Sequence, residues 1–147
     1  MVCFSPSAGY SGKLGKLNSN YNKNKNVSCT GKPPNYWDNA SWPCPKNKKF
    51  SSVFPCSPKN QYTYGSNTLL EIVKGCSFDK EELAKELVAA YLNILSGRIS
   101  FLTVNNLTTM WSQLQQGHYK PATNVYWTVA QTTVYLKLTH YSSYYYD

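Results

Sequence analysis

Leu83, Leu87, Ala90, Tyr91, Ile94 and Leu95 recur at three- and four-residue spacing, the period of one helix face. Asp79 and Glu82 precede the run as a capping pair, and Gly97 follows where a left-handed residue closes a helix. Two further helices are predicted. One runs from Thr68 to about Lys74, carries Leu69, Leu70, Ile72 and Val73, and stops at Gly75. The other begins at Thr103, sets Val104, Leu107, Trp111 and Leu114 on one face, and ends at Gly117.

From Asn124 the period falls to two. Val125, Trp127 and Val129 alternate with Tyr126, Thr128 and Ala130; Val134, Leu136 and Leu138 then alternate with Tyr135, Lys137 and Thr139. Alternation in β-branched and aromatic residues predicts two strands, or one long kinked strand. Two strands make no stable sheet alone, so pairing with the first residues, the loop region or a neighbouring subunit is expected.

Residues 29–66 show neither period. Pro33, Pro34, Pro43, Pro45, Pro55 and Pro58 interrupt any regular element. Tyr36, Trp37, Trp42, Phe50, Val53 and Phe54 are expected to pack onto the helices, because large aromatic surface is costly to leave in water. The bolder reading makes Tyr36, Trp37 and Trp42 an aromatic surface for a sugar. Residues 1–28 are rich in Gly, Ser, Asn, Lys and Tyr, a composition that cannot order itself. The expected fold is α+β: a disulfide-stapled loop region on a small three-helix body, with C-terminal antiparallel strands. Its parts are a basic arm (1–28), the Cys/aromatic loops with the helical body (29–118), and a strand region with a Tyr-rich tail (119–147).

Charge sharpens this division. The 147-residue chain carries a formal net charge of +8. Nine lysines stand before residue 61 against one acid, Asp38, whereas the remainder is balanced. A basic arm suits an anionic partner, but the lysines are dispersed among Asn and Ser and Arg98 is the single arginine. Nucleic-acid readers use arginine for bidentate contacts, so nucleic acid is the weakest of the partner classes. No apolar run is long enough to span a membrane. The residues after Met1 lack the apolar core of a signal peptide, so a secreted chain would be seen here in its mature form.

The five cysteines, at 3, 29, 44, 56 and 76, form no Cys-x-x-Cys pair. Thioredoxin-type chemistry and c-type haem attachment are therefore disfavoured, and the spacing suits a zinc site poorly. Two disulfides in an oxidising compartment are the simpler expectation. Cys44 with Cys56 and Cys29 with Cys76 are the favoured pairs, leaving Cys3 free, or as an intermolecular thiol, or in place of one of the others. Asn26-Val27-Ser28, Asn39-Ala40-Ser41 and Asn106-Leu107-Thr108 are acceptor triplets for N-glycosylation.

Pro34-Asn35-Tyr36-Trp37, Phe50-Ser51-Ser52-Val53-Phe54, Thr68–Val73, Leu83–Asn93 and Leu102–Leu107 follow one another at characteristic spacing. This order resembles a module of secreted bacterial and archaeal surface proteins. That module opens with a Cys-x-Pro-Gly-Tyr-Trp-Lys-Asn-like segment, followed by Phe-x-x-Val-Phe and a Leu/Ala-rich helical part. Asn35 stands where that pattern has Gly, and Asp38 where it has Lys. The resemblance covers somewhat over half the chain and implies a non-enzymatic module of cell-surface or matrix proteins. It brings no catalytic residues.

The residues themselves offer little chemistry. His118 and His140 are the only histidines and stand in no ligand spacing; Glu81, Glu82 and Glu86 with Lys80 and Lys85 read as a solvated helix face. No nucleophile motif or phosphate loop occurs, and no catalytic residue, cofactor or metal is expected. The leading expectation is an extracellular structural subunit that self-assembles into a filament or surface layer through its ends. Trp127, Tyr135, Tyr144, Tyr145 and Tyr146 would lie in the contacts. The alternative is an adhesive module that holds a glycan or cell surface.

Overall fold

The structure is a computed structural model and describes residues 1–10 and 27–140. Lys13, Lys16, Lys23 and Lys25 of the basic arm, and Tyr144, Tyr145 and Tyr146 of the expected assembly contacts, lie outside the described residues.

Among the described residues there are seven α-helices: α1 (Pro6–Tyr10), α2 (Pro34–Asn39), α3 (Pro58–Gln61), α4 (Leu69–Lys74), α5 (Leu83–Leu95), α6 (Val104–Leu114) and α7 (Val129–Leu138), with a 3-10 turn at Phe50–Ser52. No strand forms among them. Extended pairing is confined to three isolated antiparallel bridges, Cys29 with Ile99, Lys49 with Thr68, and Tyr119 with Trp127. The expected α+β fold with C-terminal antiparallel strands is therefore corrected: the body is helical, and the strand region is a loop followed by α7.

The reason is legible in α7 itself. Thr128 Oγ1 accepts from Gln131 N at 3.1 Å, and Gln131 Oε1 accepts from Thr128 N at 2.9 Å, a reciprocal cap that satisfies two donors at a helix start. Val134, Leu136 and Leu138 read as an alternation, but Thr132, Thr133, Leu136, Thr139 and His140 also repeat at helical spacing, and these are buried together with Tyr135. Thr132 and Thr133 would favour a strand on propensity. Here they donate to the carbonyls of Thr128 and Val129 at 2.9 and 2.8 Å, which satisfies their buried hydroxyls within the helix. Packing on α5 overrides propensity.

Helix α5 is the axis of the body, packed by α2, α4, α6 and α7. The expected stripe is too narrow. Leu83, Ala84, Leu87, Val88, Ala89, Ala90, Tyr91 and Leu92 are all buried, whereas Leu95, assigned to the stripe, is 42% exposed. A helix wrapped on several sides needs apolar residues on each of them. Its start also differs from a capping box. Glu82 has φ 66° and makes no side-chain cap. The Asp79 carboxylate reaches forward to accept from Ala84 N (3.1 Å) and Lys85 N (3.0 Å). Helices α4 and α6 start one residue after the expected Thr68 and Thr103, which cap them, each with a reciprocal box.

Phe50 and Phe54 are fully buried and stack at 4.8 Å; Trp111 meets Phe50 edge-on at 5.1 Å. This aromatic layer joins the loop half to α6. Val2, Cys3 and Phe4 are core residues. Val2 N donates to Leu138 O at 2.8 Å, and Tyr135 Oη donates to Phe4 O at 2.6 Å.

The favoured disulfide pairs do not form, and Cys3 takes the place of one of the other cysteines. Cys3 bonds Cys29 within the chain, with a Cα–Cα distance of 5.7 Å, so Cys3 is not an intermolecular thiol here. Cys44, Cys56 and Cys76 are half-buried free thiols, and burial pushes each of them above the usual thiol range. The loop half is held by aromatic packing where cross-links were expected. No described helix is long and apolar enough to cross a membrane.

Candidate functional site

Residue Asn93, in the last turns of α5, organises the region where chemistry-bearing side chains converge. Its carboxamide is fully buried. Oδ1 accepts from Lys32 N at 2.9 Å and from Trp37 Nε1 at 3.2 Å, while Nδ2 donates to Lys32 O at 3.0 Å. One side chain thus fixes both the approach to α2 and the tryptophan inside it. Gly31 permits the approach: a Cβ there would lie 2.9 Å from Ile99 Cδ1 and 3.1 Å from Thr139 O. Pro34 opens α2 at a position where a missing N–H costs nothing.

The end of α5 then delivers Arg98. Gly97 is left-handed at φ 78°. Its N–H donates to Ile94 O at 3.1 Å, and Arg98 N donates to Asn93 O at 2.9 Å. This bond pair is the Schellman closure of a helix. It turns the chain so that Arg98 O accepts from Thr30 N at 2.9 Å and the guanidinium lies beside Tyr36.

The result is an open cleft of about 510 Å³ lined by Thr30, Tyr36, Trp37, Ser41, Trp42, Pro43, Ser96, Gly97 and Arg98. Trp37 is buried and is its floor; Tyr36 meets it edge-on at 5.0 Å and is 36% exposed. Trp42 is half-buried and is pinned by Nε1 donating to Trp37 O at 2.6 Å. Arg98 Nη2 donates to Tyr36 Oη at 3.1 Å, and the guanidinium carbon lies 5.3 Å from the Tyr36 ring centroid. Lys32 Nζ lies 5.4 Å from the same centroid, and Lys46 Nζ 5.8 Å from that of Trp42. The lining holds no carboxylate, imidazole or thiol. Ring faces, hydroxyls and a guanidinium can bind and orient a ligand.

The three aromatic residues expected to form a binding surface are therefore brought together, with divided roles: Trp37 is structural, and Tyr36 and Trp42 present the faces. Sequence reasoning missed Arg98 and Asn93 as site residues. Arg98 had a signal, since the residue after a helix-closing glycine is aimed by that closure.

A second concavity runs along α7. Val2, Phe4, Trp127, Ala130, Gln131, Val134, Tyr135 and Leu138 line an apolar groove of about 340 Å³. Trp127 and Tyr135, expected in assembly contacts, meet here with ring centroids 5.7 Å apart. They sit in a loop and a helix, where strands were expected.

The expected solvated acidic face is partly buried. Glu86 Oε1 lies 2.6 Å from His140 Nε2, and both side chains are almost wholly excluded from water. Glu82 bridges Lys85 (3.3 Å) and Lys137 (3.1 Å), tying α5 to α7. Of the glycosylation triplets, Asn106 is committed to the cap of α6, accepting from Thr103 N at 2.9 Å. No grouping of three or more His, Cys, Asp or Glu able to hold a metal ion occurs among the described residues.

No protein-family model matches the chain, and comparison with curated proteins and with solved structures also finds no match.

Proposed function

We propose that the protein is a non-catalytic, extracellular binding module that holds a saccharide in the Tyr36–Trp42–Arg98 cleft. The carrying observation is the convergence, in one open concavity, of two accessible aromatic faces with the hydroxyls of Thr30, Ser41 and Ser96 and a guanidinium. A sugar ring offers apolar C–H faces and equatorial hydroxyls, and this lining answers both: aromatic faces cover apolar area, and fixed polar groups set orientation. The Cys3–Cys29 bond supports an oxidising compartment. The reading also agrees with the implied cell-surface module.

A glycan array and a pull-down on cell-wall material test it. Retention by wild type should fall at least about tenfold in Tyr36→Ala and in Trp42→Ala, a loss of the size expected when an aromatic anchor is truncated. Their folded circular-dichroism spectra should be kept. Equal retention by wild type and both variants would end the reading.

A second reading, assembly with copies of the same chain, has its own observation. Helix α7 is apolar on its outward side as well as its buried one: Val134 is 54% exposed beside Ala130 and Leu138. An exposed apolar strip of this kind is a candidate contact surface. Sedimentation velocity of wild type and Val134→Lys separates the readings. A concentration-dependent oligomer lost in the variant favours assembly, and a monomer in both removes it.

A further inference from the structure

We infer that the saccharide taken by the cleft is acidic, and that Arg98 reads its carboxylate. This rests on the binding reading above and specifies its ligand class.

The cleft concentrates positive charge without answering it. Arg98 makes no ion pair among the described residues; the nearby acid Asp38 faces Lys74 at 3.9 Å. Arg98 spends one Nη2 donor on Tyr36 Oη, and a guanidinium has five N–H donors in a planar fork. The remainder can meet the two oxygens of a carboxylate side by side, a geometry an ammonium cannot reproduce. Lys32 is brought to the same tyrosine ring, at 5.4 Å against 5.3 Å for Arg98. Lys32 thus adds a second positive charge near the ring, and an anion bound at Arg98 is favoured by both. The position is also held by the backbone. The Gly97 closure and the Thr30–Arg98 backbone bond place Cα of Arg98 independently of its side chain, so the fork is aimed before ligand arrives. A neutral sugar would use the rings and hydroxyls and leave this charge unused. A uronic acid uses all three.

Oligogalacturonate and its full methyl ester differ only in the carboxylate, so calorimetric titration with both isolates the claim. Wild type should bind the acid at least about tenfold more tightly than the ester, and the gap should narrow as salt is raised. Arg98→Gln should bind acid and ester equally. Arg98→Lys should keep the charge preference and lose part of the affinity, because the fork is gone. Thermal melts of both variants should overlay wild type, since the bond lost is an exposed one.

Equal binding of acid and ester by wild type would overturn the acidic assignment while leaving the saccharide reading intact. Binding of neither, nor of hyaluronan oligosaccharides and their neutralised ester, would overturn both. Displacement of the oligomer by inorganic phosphate at equal concentration would also overturn it, because the site would then read a bare anion.

Discussion

The Arg98 cleft and the α7 groove are both concave, and they are built on opposite principles. In the cleft every wall is positioned by a directional bond: Asn93 to Trp37 and Lys32, Trp42 to the Trp37 carbonyl, Arg98 to Tyr36. In the groove the bonds from Val2 N to Leu138 O and from Tyr135 Oη to Phe4 O hold the frame, but the surface offered to a ligand is almost wholly apolar. Directional walls can discriminate between ligands that differ by one group, whereas apolar walls discriminate mainly by shape and area. On the proposed reading, chemical selectivity belongs to the cleft, and the groove could discriminate only by shape and area.

The comparison breaks most visibly at Asn93. Asn93→Ala strands the buried Trp37 indole N–H and the half-buried Lys32 backbone groups, a buried polar group costing about 1–3 kcal/mol when unmet.

 The Lys32 N–H and C=O and the Trp37 Nε1 all lose their partner together, so a loss of about 4 kcal/mol is expected. Urea denaturation checks the value, and in hydrogen exchange the groove-side amide of Val2, bonded to Leu138 O, should outlast the cleft amide of Thr30, bonded to Arg98 O.

Removing the Cys3–Cys29 bond acts on the other region. Cys3→Ser with Cys29→Ser should cost about 3 kcal/mol, the usual range for a bridge of this loop size. It also frees Val2 and Phe4, the groove's outer wall. A melting curve with and without reductant should reproduce the loss. Cys44, Cys56 and Cys76 should all react with a thiol reagent in denatured, unreduced protein. Alkylation-resistant Cys44 and Cys56 under those conditions would contradict the Cys3–Cys29 pairing.

Gly97→Ala is a gentler probe of the cleft. A Cβ there meets nothing within 4 Å, so only the φ of 78° is at issue, and the expected cost is about 1 kcal/mol. Saccharide affinity should fall with it, because the Schellman closure aims Arg98; an unchanged affinity would show that the aim of Arg98 does not depend on that closure.

The smallest effect is electrostatic. The hydrogen bond from Lys137, helped by Lys85, holds the Glu82 carboxyl below its ordinary 4.5. A lowered folded value means the stabilisation is present above the unfolded pKa and is lost as pH falls through the folded one. Burial raises Asp79 in the opposite direction, so its contribution improves on acidification and partly offsets the loss. Glu82→Gln removes the first effect and spares the second. The variant should be about 0.5 kcal/mol less stable at neutral pH, discounted for exposure, and indistinguishable from wild type well below 4.5. Denaturation at both pH values decides this.

The elements legible from the chain are those set by short-range chemistry. Thr68 and Thr103 start α4 and α6, Gly75 and Gly97 follow α4 and α5, and Phe50, Phe54 and Trp37 are buried as expected. The region after Asn124 was misread because its residues satisfy two periods at once, and local propensity favoured the wrong one. The Thr128–Gln131 cap was the local sign of the helix. The aromatic members of the cleft were legible because Tyr36, Trp37 and Trp42 are close in the chain. Asn93 and Arg98 were not, since they join that cluster from about sixty residues away and a lone Asn or Arg has no pattern of its own.

By itself the sequence determined where α4 and α6 start, that Gly75 and Gly97 follow α4 and α5, and that Trp37, Phe50 and Phe54 leave water, because caps, glycine conformations and aromatic burial depend on a few neighbouring residues. Only the tertiary structure decided that residues 129–138 coil, that Cys3 finds Cys29, and that one arginine faces a tyrosine from the far end of α5. Each of these depends on which surfaces meet, and that is settled by the packing of the whole chain around α5.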